Sequence, residues 1–185
     1  MRKYLIFAFL MVVSTAYSSL KAQQILGLST KFSNSFVDWV VYTDDENLDG
    51  TLALRWANLN DWSGWDFRVG ELYGSVDQVI KDDFNRYNMR ADNKIITIQT
   101  IWQDDFFHWR ITTPEGLILQ LTCENPTNPQ EWELHSDTYG LFRIYTAWEN
   151  DFREWAVEDN LVPEIDQYTK LALMFAAVVS STPKQ

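Results

Sequence analysis

The chain repeats one ten-residue pattern at two places: Thr100–Trp109 reads TIWQDDFFHW and Thr146–Trp155 reads TAWENDFREW. Five of the ten positions are identical, and the two segments lie 46 residues apart. Self-similarity at a fixed spacing is typical of a repeat architecture, in which one supersecondary unit recurs along the chain. Half of this spacing leads to Trp132, and further steps towards the N-terminus lead to Tyr87, Trp65 and Trp39.

The repeat has one aromatic anchor per unit, at intervals of 26, 22, 22, 23 and 23 residues. Apolar side chains recur two residues after each anchor, and eleven and thirteen residues before it, with Gly74 as the exception. Positions two apart share a face of a strand, so each unit is predicted to be a hairpin of two strands. The six anchors are Trp39, Trp65, Tyr87, Trp109, Trp132 and Trp155.

Polar turn residues separate the predicted strands, which makes six hairpins and twelve strands. An antiparallel sandwich with evenly spaced strands is one alternative. A β-trefoil is another, since it also has six hairpins, but it leaves the apolar run Leu171–Val179 unexplained.

The C-terminal segment 164–180 is predicted to be a helix, because the strand periodicity stops at Pro163 and Leu171–Val179 is apolar on every side. Nine apolar residues are too few to span a bilayer, so a buried helix is expected. About eight strands fill a barrel with side chains alone and about sixteen leave a channel. A helix about 10 Å wide would fill the intermediate space. The predicted fold is mainly β: a twelve-stranded antiparallel barrel of six hairpins around a buried C-terminal hydrophobic helix.

This pattern resembles the tubby C-terminal-like superfamily, which includes tubby, the phospholipid scramblases and the plant LURP-one-related proteins. The resemblance covers residues 24–180, and we identify the chain with a secreted bacterial member. It depends on the Thr-x-Trp and Asp-Phe-x-x-Trp pieces, on Leu171–Val179 and on the five tryptophan anchors.

The resemblance implies a limited set of functions. Tubby binds phosphoinositide headgroups through basic side chains, but this chain has no matching cluster of Lys and Arg, so no phosphoinositide site is evident. The scramblases imply a membrane role and a calcium-binding stretch near the final helix. The corresponding stretch here, Glu158–Asn160, is acidic but lacks a full ligand loop.

Residues 1–22 read as a secretory signal, with Arg2 and Lys3 before the apolar run Tyr4–Val13. Cleavage is expected after Ala22, or alternatively after Ala16. A single barrel domain, residues 23–185, would then be periplasmic or secreted. It would carry 12 basic against 26 acidic residues, a net charge of −14, where the whole chain has −11.

The composition argues against several classes of function. The acidic balance leaves no basic surplus to displace phosphate counterions, so nucleic acid is not an expected partner. The single Cys123 excludes a disulfide framework, and we expect it to be buried and inert. Two histidines, His108 and His135, leave little material for a zinc site, and both are predicted to face solvent. No cofactor is expected.

Two groups of carboxylates are candidates for chemistry. Asp45, Asn47 and Asp49 resemble the start of a calcium loop, but Trp56 stands where the bidentate carboxylate belongs, so an acidic turn is the preferred interpretation. Asp104-Asp105 and Glu149/Asp151 resemble the acid and base of a glycosidase. Their equivalent places in repeated turns favour a structural role, so the protein is predicted not to be an enzyme.

Several aromatic residues lie away from the anchor positions, and four tryptophans among them are candidate ligand-binding residues. Such side chains either cap the barrel ends or form a surface patch. Phe106 and Phe152 recur at the same repeat position, which favours the capping role. A non-catalytic binding module is therefore predicted, with a glycan, a lipid or a protein as partner. The alternatives are a lipid- or membrane-associated protein, and a carbohydrate-binding or carbohydrate-active one. The four candidates are Trp56, Trp62, Trp102 and Trp148.

Overall fold

The computed structural model describes residues 24–184, so the expected signal segment lies outside the described residues. The chain is mainly β, with twelve antiparallel strands and a C-terminal helix, which confirms the predicted fold class. The strands are β1 (Ile25–Thr30), β2 (Asp38–Thr43), β3 (Gly50–Trp56), β4 (Asp61–Val69), β5 (Leu72–Gln78), β6 (Arg86–Ala91), β7 (Lys94–Thr100), β8 (His108–Thr112), β9 (Ile118–Cys123), β10 (Glu131–Ser136), β11 (Gly140–Trp148) and β12 (Asp151–Leu161). The helix is α1 (Gln167–Ser181).

The strands form one closed sheet in which each pairs with its neighbours in the chain. The barrel closes where Leu28 of β1 faces Val41 of β2 on one side and Trp155 of β12 on the other. A single closed sheet excludes the sandwich and β-trefoil alternatives. We call the end that carries the turns after odd-numbered strands the crown, and the opposite end the base.

All six anchors point into the barrel, and none is more than 2% exposed. In four units the anchor's indole N–H donates to the carbonyl three residues earlier, which ties the crown turn to the core. Trp65 differs, because its buried Nε1 has no hydrogen-bond partner among the described residues. The four bonds run from Trp39 to Phe36 (2.8 Å), from Trp109 to Phe106 (3.0 Å), from Trp132 to Pro129 (3.3 Å) and from Trp155 to Phe152 (2.9 Å).

Helix α1 fills the barrel from base to crown. Its N-cap is Asp166, whose Oδ1 accepts from the backbone N–H of Thr169 (2.8 Å). Near the crown, the Ser181 hydroxyl donates to the Pro129 carbonyl (2.8 Å). Every residue from Tyr168 to Val179 is buried, as expected for a helix that is apolar on every side. Within residues 24–184 no helix combines the length and hydropathy needed to cross a membrane.

The exception in the repeat, Gly74, has a backbone cause. A Cβ atom on Gly74 would lie 2.0 Å from the carbonyl oxygen of Arg90 on β6, and 2.8 Å from the Phe67 ring. The two strands approach too closely there for any side chain. The third unit therefore contributes no inward side chain at this position. The first unit also departs from the predicted pattern there: at the register shift between Ile25 and Gly27, Leu26 points outward and is 49% exposed.

An ion pair lies inside the barrel, next to the base. Lys170 Nζ of α1 is 2.6 Å from Asp159 Oδ2 of β12, and the two side chains are only 4% and 2% exposed. The apolar pattern of the helix gives no sign of this pair, since Lys170 immediately precedes the apolar run. A charge in this position depends on its partner, because water cannot solvate it.

Trp65 makes no indole hydrogen bond with the described residues, so a comparison with Trp109 measures how much such a bond contributes to stability. We expect Trp109→Phe to destabilise the protein by about 1–3 kcal/mol more than Trp65→Phe. Both changes remove similar ring area, but only the first breaks a hydrogen bond, and the second removes an unpaired donor. Urea unfolding of both variants measures the difference. Equal losses would show that the indole bonds contribute nothing to stability.

The buried ion pair yields a second prediction. Lys170→Met alone should destabilise the protein by about 3–5 kcal/mol, because the Asp159 carboxylate is left buried without its partner. Combining Lys170→Met with Asp159→Leu should recover most of that loss, since an apolar pair needs no solvation. Chemical denaturation of the single and double variants checks this, and a double variant as unstable as the single one contradicts it.

Candidate functional site

The crown turns share a backbone design that explains their acidic residues. Four turns place Asn60, Asp82, Asp104 or Asn150, each five residues before an anchor, at φ between 49° and 65°. This left-handed region favours Asn and Asp among residues with side chains. Five turns then place an oxygen-bearing side chain four residues before the anchor, where it accepts the backbone N–H two residues on. These acceptors are Ser35 (3.4 Å), Asp61 (3.0 Å), Asp83 (2.9 Å), Asp105 (3.0 Å) and Asp151 (3.0 Å).

The electrostatics of the crown favour ionised carboxylates. The Lys81 ammonium lowers the pKa of Asp61 to about 2, and the Arg153 guanidinium lowers the pKa of Asp151 to about 2. Hydrogen bonds from Asn85 lower the pKa of Asp83. A glycosidase acid needs the opposite displacement. Asp105 is held by the Nδ1 atom of His108 at 2.9 Å.

The four candidate tryptophans occupy two different environments. Trp56, Trp102 and Trp148 are 38%, 60% and 65% exposed, whereas Trp62 is only 7% exposed. The Trp62 indole donates to Asn60 Oδ1 (2.8 Å), and its ring packs edge-on against Trp65 with centroids 5.5 Å apart. The structure therefore brings three of the four to the surface and places Trp62 in the core.

Position in the repeat explains why Trp62 is buried. It lies three residues before its anchor, as do Phe106 and Phe152, whose rings pack against the core with centroids 6.4 and 6.0 Å from their anchors. These residues close the crown end of the barrel. The capping role expected for Phe106 and Phe152 therefore extends to Trp62 but not to the exposed tryptophans.

Exposed apolar side chains recur seven residues before the anchor, where the chain leaves an odd-numbered strand. Four of the six units carry one there: Phe32, Ile80, Trp102 and Trp148, exposed by 51%, 65%, 60% and 65%. Trp56 and Leu59 add two more in the second unit, so five of the six crown turns contribute. We call these six residues, Phe32, Trp56, Leu59, Ile80, Trp102 and Trp148, the crown belt.

Each tryptophan of the crown belt lies on the outer wall of the barrel. It contacts the residue that directly precedes the anchor of the same unit. The Trp102 ring meets the His108 ring edge-on, with centroids 5.2 Å apart. The Trp148 indole donates to Glu154 Oε2 (3.1 Å). The Trp56 ring lies across Gly64, where a Cβ atom would be 2.8 Å from it. These contacts hold the rings around the outside of the crown, with much of their surface open to solvent.

Phe32 and Ile80 were missed by sequence reasoning, although a signal for them exists. They stand at the repeat position of Trp102 and Trp148, so the spacing that located the anchors would also have located them. Leu59 lies six residues before its anchor and has no such signal.

The candidate calcium residues lie at the base, in the turn after β2. Asp45 Oδ1 accepts from the backbone and side-chain nitrogens of Asn47 at 3.0 and 2.8 Å, and Asp49 Oδ1 accepts from the backbone N–H of Thr43 at 2.7 Å. Their oxygens thus serve the turn itself. Within the described residues no three His, Cys, Asp or Glu side chains are grouped to hold a metal ion.

Cys123 and the histidines contribute no reactive centre to the crown. Cys123 is 3% exposed and unpaired, and burial raises the pKa of its thiol, which disfavours the reactive thiolate. His108 is held against Asp105 on the outer wall, and the side chain of His135 is 70% exposed.

Comparisons of this chain with protein-family models, with curated proteins and with solved structures find no match. The closed barrel around a helix defines the structural class of the protein.

The base turn gives a prediction about calcium. Asp49→Ala should lower the free energy of unfolding by about 1–3 kcal/mol, because the backbone N–H of the buried Thr43 loses its acceptor. The loss should be the same with millimolar Ca²⁺ and with EDTA, as thermal melts will show. A loss that grows only when Ca²⁺ is present would instead assign the turn to metal binding.

Proposed function

We propose that this protein is an exported, non-catalytic binding module that attaches to its partner through the crown belt. The observation that carries the proposal is the recurrence of an exposed apolar side chain at one repeat position in four of six units. An isolated exposed apolar residue is ordinary, but a set gathered at one end of a domain is typical of an interaction site. Tryptophan is also among the residues that contribute most to binding interfaces.

Local structure supports the non-catalytic part of the proposal. Asp61, Asp83 and Asp151 accept backbone N–H groups of their own turns, and the pKa of each is lowered. Each of these side chains therefore has a structural task that explains its presence. No cofactor is part of the proposal.

Export is consistent with the direction of the chain. Strand β1 starts at the base, where the backbone N–H of Gln24 donates to Asp44 Oδ1 (3.0 Å). The first residue that the structure describes therefore lies at the end of the barrel that is remote from the crown belt. Removal of a signal segment would leave the proposed binding surface unchanged, in a periplasmic or extracellular protein.

A lipid surface is the partner class that the shape of the belt favours. Five of six crown turns contribute, so a flat partner can meet the whole belt when it faces the crown. Tryptophan suits the bilayer interface because its ring is apolar and its N–H is polar. Acidic crown residues such as Asp82, Asp104 and Glu149 favour zwitterionic over anionic lipid. Membership of the tubby-like superfamily remains a proposal that agrees with this one.

A glycan is the other partner class for which the belt offers suitable groups. Trp102 has His108 beside it and Trp148 has Glu154, so both of these rings have a polar neighbour that can bond a hydroxyl. The two classes predict different ligands for the same residues and can therefore be compared in one experiment.

The experiment measures co-sedimentation with phosphatidylcholine vesicles, with phosphatidylglycerol vesicles and with insoluble polysaccharides. We expect binding to phosphatidylcholine or to a polysaccharide, and we expect the double variant Trp102→Ala/Trp148→Ala to weaken it at least about tenfold. Both side chains are exposed, so circular dichroism should show an intact fold.

The matched control is Leu26→Ala/Ile118→Ala, which removes two apolar side chains that are 49% and 54% exposed near the base. It should leave binding unchanged. An equal loss of binding in both double variants would show that binding depends on general surface hydrophobicity and not on the crown belt. Full binding by the tryptophan variant would exclude the crown belt as the site.

A further inference from the structure

A cleft of about 500 Å³ opens at the base, at the end of the barrel opposite to the crown belt. It lies between the turn that follows β4 and the turn that follows β6, where α1 begins. Leu48, Leu72 and Ala91 supply apolar lining, and the buried Tyr168 supplies a ring. The volume falls within the range of roughly 300–1,000 Å³ that small-molecule sites occupy.

The cleft lies at the third unit of the repeat, the unit in which Gly74 interrupts the apolar pattern. Gly74 leaves one inward position of β5 without a side chain, and Ala91 places only a methyl group at the inward position of β6 next to the base. A groove on the outer wall runs over Gly74 and shares Ala91 and Lys94 with the cleft. Departures from a consistent local pattern are expected at functional sites.

The charged groups around the cleft are mainly acidic. Glu71 and Asp92 have no basic side chain within 4.0 Å in the part of the chain that the structure describes. Lys94, by contrast, is engaged with Asp166 at 3.4 Å and with Glu115 at 3.8 Å. The rim therefore presents two uncompensated carboxylates to a ligand.

The geometry of the turn holds one of these carboxylates in place. Asp92 and Asn93 both have positive φ, 46° and 62°, so they form the tight turn that joins β6 to β7. Arg90, the nearest guanidinium on β6, reaches Asp77 at 3.4 Å and is engaged there.

Two polar groups of the helix also line this region, and one of them has no hydrogen-bond partner among the described residues. The Nε2 atom of Gln167 is buried and makes no hydrogen bond among residues 24–184. The Tyr168 hydroxyl reaches the Lys94 carbonyl only at 3.5 Å. Buried polar groups are normally paired, so the unpaired amide marks the start of α1 as an incompletely satisfied part of the cleft.

We propose that the base cleft binds a small amphiphilic cation, with its apolar body against Leu48, Leu72 and the Tyr168 ring and its amine beside Glu71 and Asp92. An anionic amphiphile of the same shape would meet these carboxylates and is disfavoured. The site is independent of the crown belt, since it uses different residues at the other end of the barrel.

The test compares decylamine with decanoate, which share an apolar chain and differ in charge. Calorimetric titration of the purified protein is made below the micelle-forming concentration of each probe. We expect decylamine to bind at least about tenfold more tightly than decanoate. Glu71→Gln/Asp92→Asn should remove that preference. Both side chains are on exposed residues, and Asn tolerates the positive φ of position 92, so this variant should fold.

Two further variants locate the site. Ala91→Leu fills the cleft and should abolish binding of both probes, with circular dichroism as the check on folding. Trp102→Ala/Trp148→Ala should leave decylamine binding unchanged, which separates this proposal from the proposed function of the crown belt. The proposal is overturned if decylamine does not bind, if decanoate binds equally well, if the carboxylate variant keeps the preference, or if the crown variant loses decylamine binding.

Discussion

The packing of the six aromatic anchors around α1 is the interaction on which the rest of the structure depends. Twelve strands enclose more space than the strands' own side chains fill, and α1 occupies it. Phe175 of α1 contacts Tyr87 and Trp65 edge-on, with ring centroids 5.2 and 6.0 Å apart. A helix without a polar face cannot remain in water, and a barrel without the helix would contain a void, so each element requires the other.

One repeat serves three purposes because side chains alternate along the strand and the turn reverses the chain. The anchor position fills the barrel, and the position three residues before it closes the crown. The position seven residues before it faces solvent and supplies the crown belt. Trp62 lies at the crown turn of the second unit and Trp102 at that of the fourth. One is in the core and the other at the surface, because they occupy different positions relative to their anchors.

Much of the fold could be predicted because burial of alternate positions in a strand produces a regular spacing of apolar residues in the sequence. The twelve strands follow from that spacing, and the helix follows from the uninterrupted apolar run near the C-terminus. Trp102 and Trp148 were identified as candidates because they are tryptophans that lie outside the anchor positions. Phe32 and Ile80 were missed because a single apolar residue in a turn is not unusual. They stand out only when their distance from the anchor is compared with that of Trp102 and Trp148. Leu59 depends on the irregular path between β3 and β4, for which spacing gives no indication.

The sequence by itself determined the number of strands, the inward face of each apart from Leu26 at the irregularity in β1, and the need for a buried helix, because these depend on local periodicity and hydropathy. Only the tertiary structure decided which residues meet across the barrel. The Lys170–Asp159 pair joins a helix to a strand through the interior, and the base cleft joins turns of separate units to the start of α1. Such contacts depend on closure of β1 against β12 and on the direction in which α1 enters, neither of which has a periodic signature in the chain.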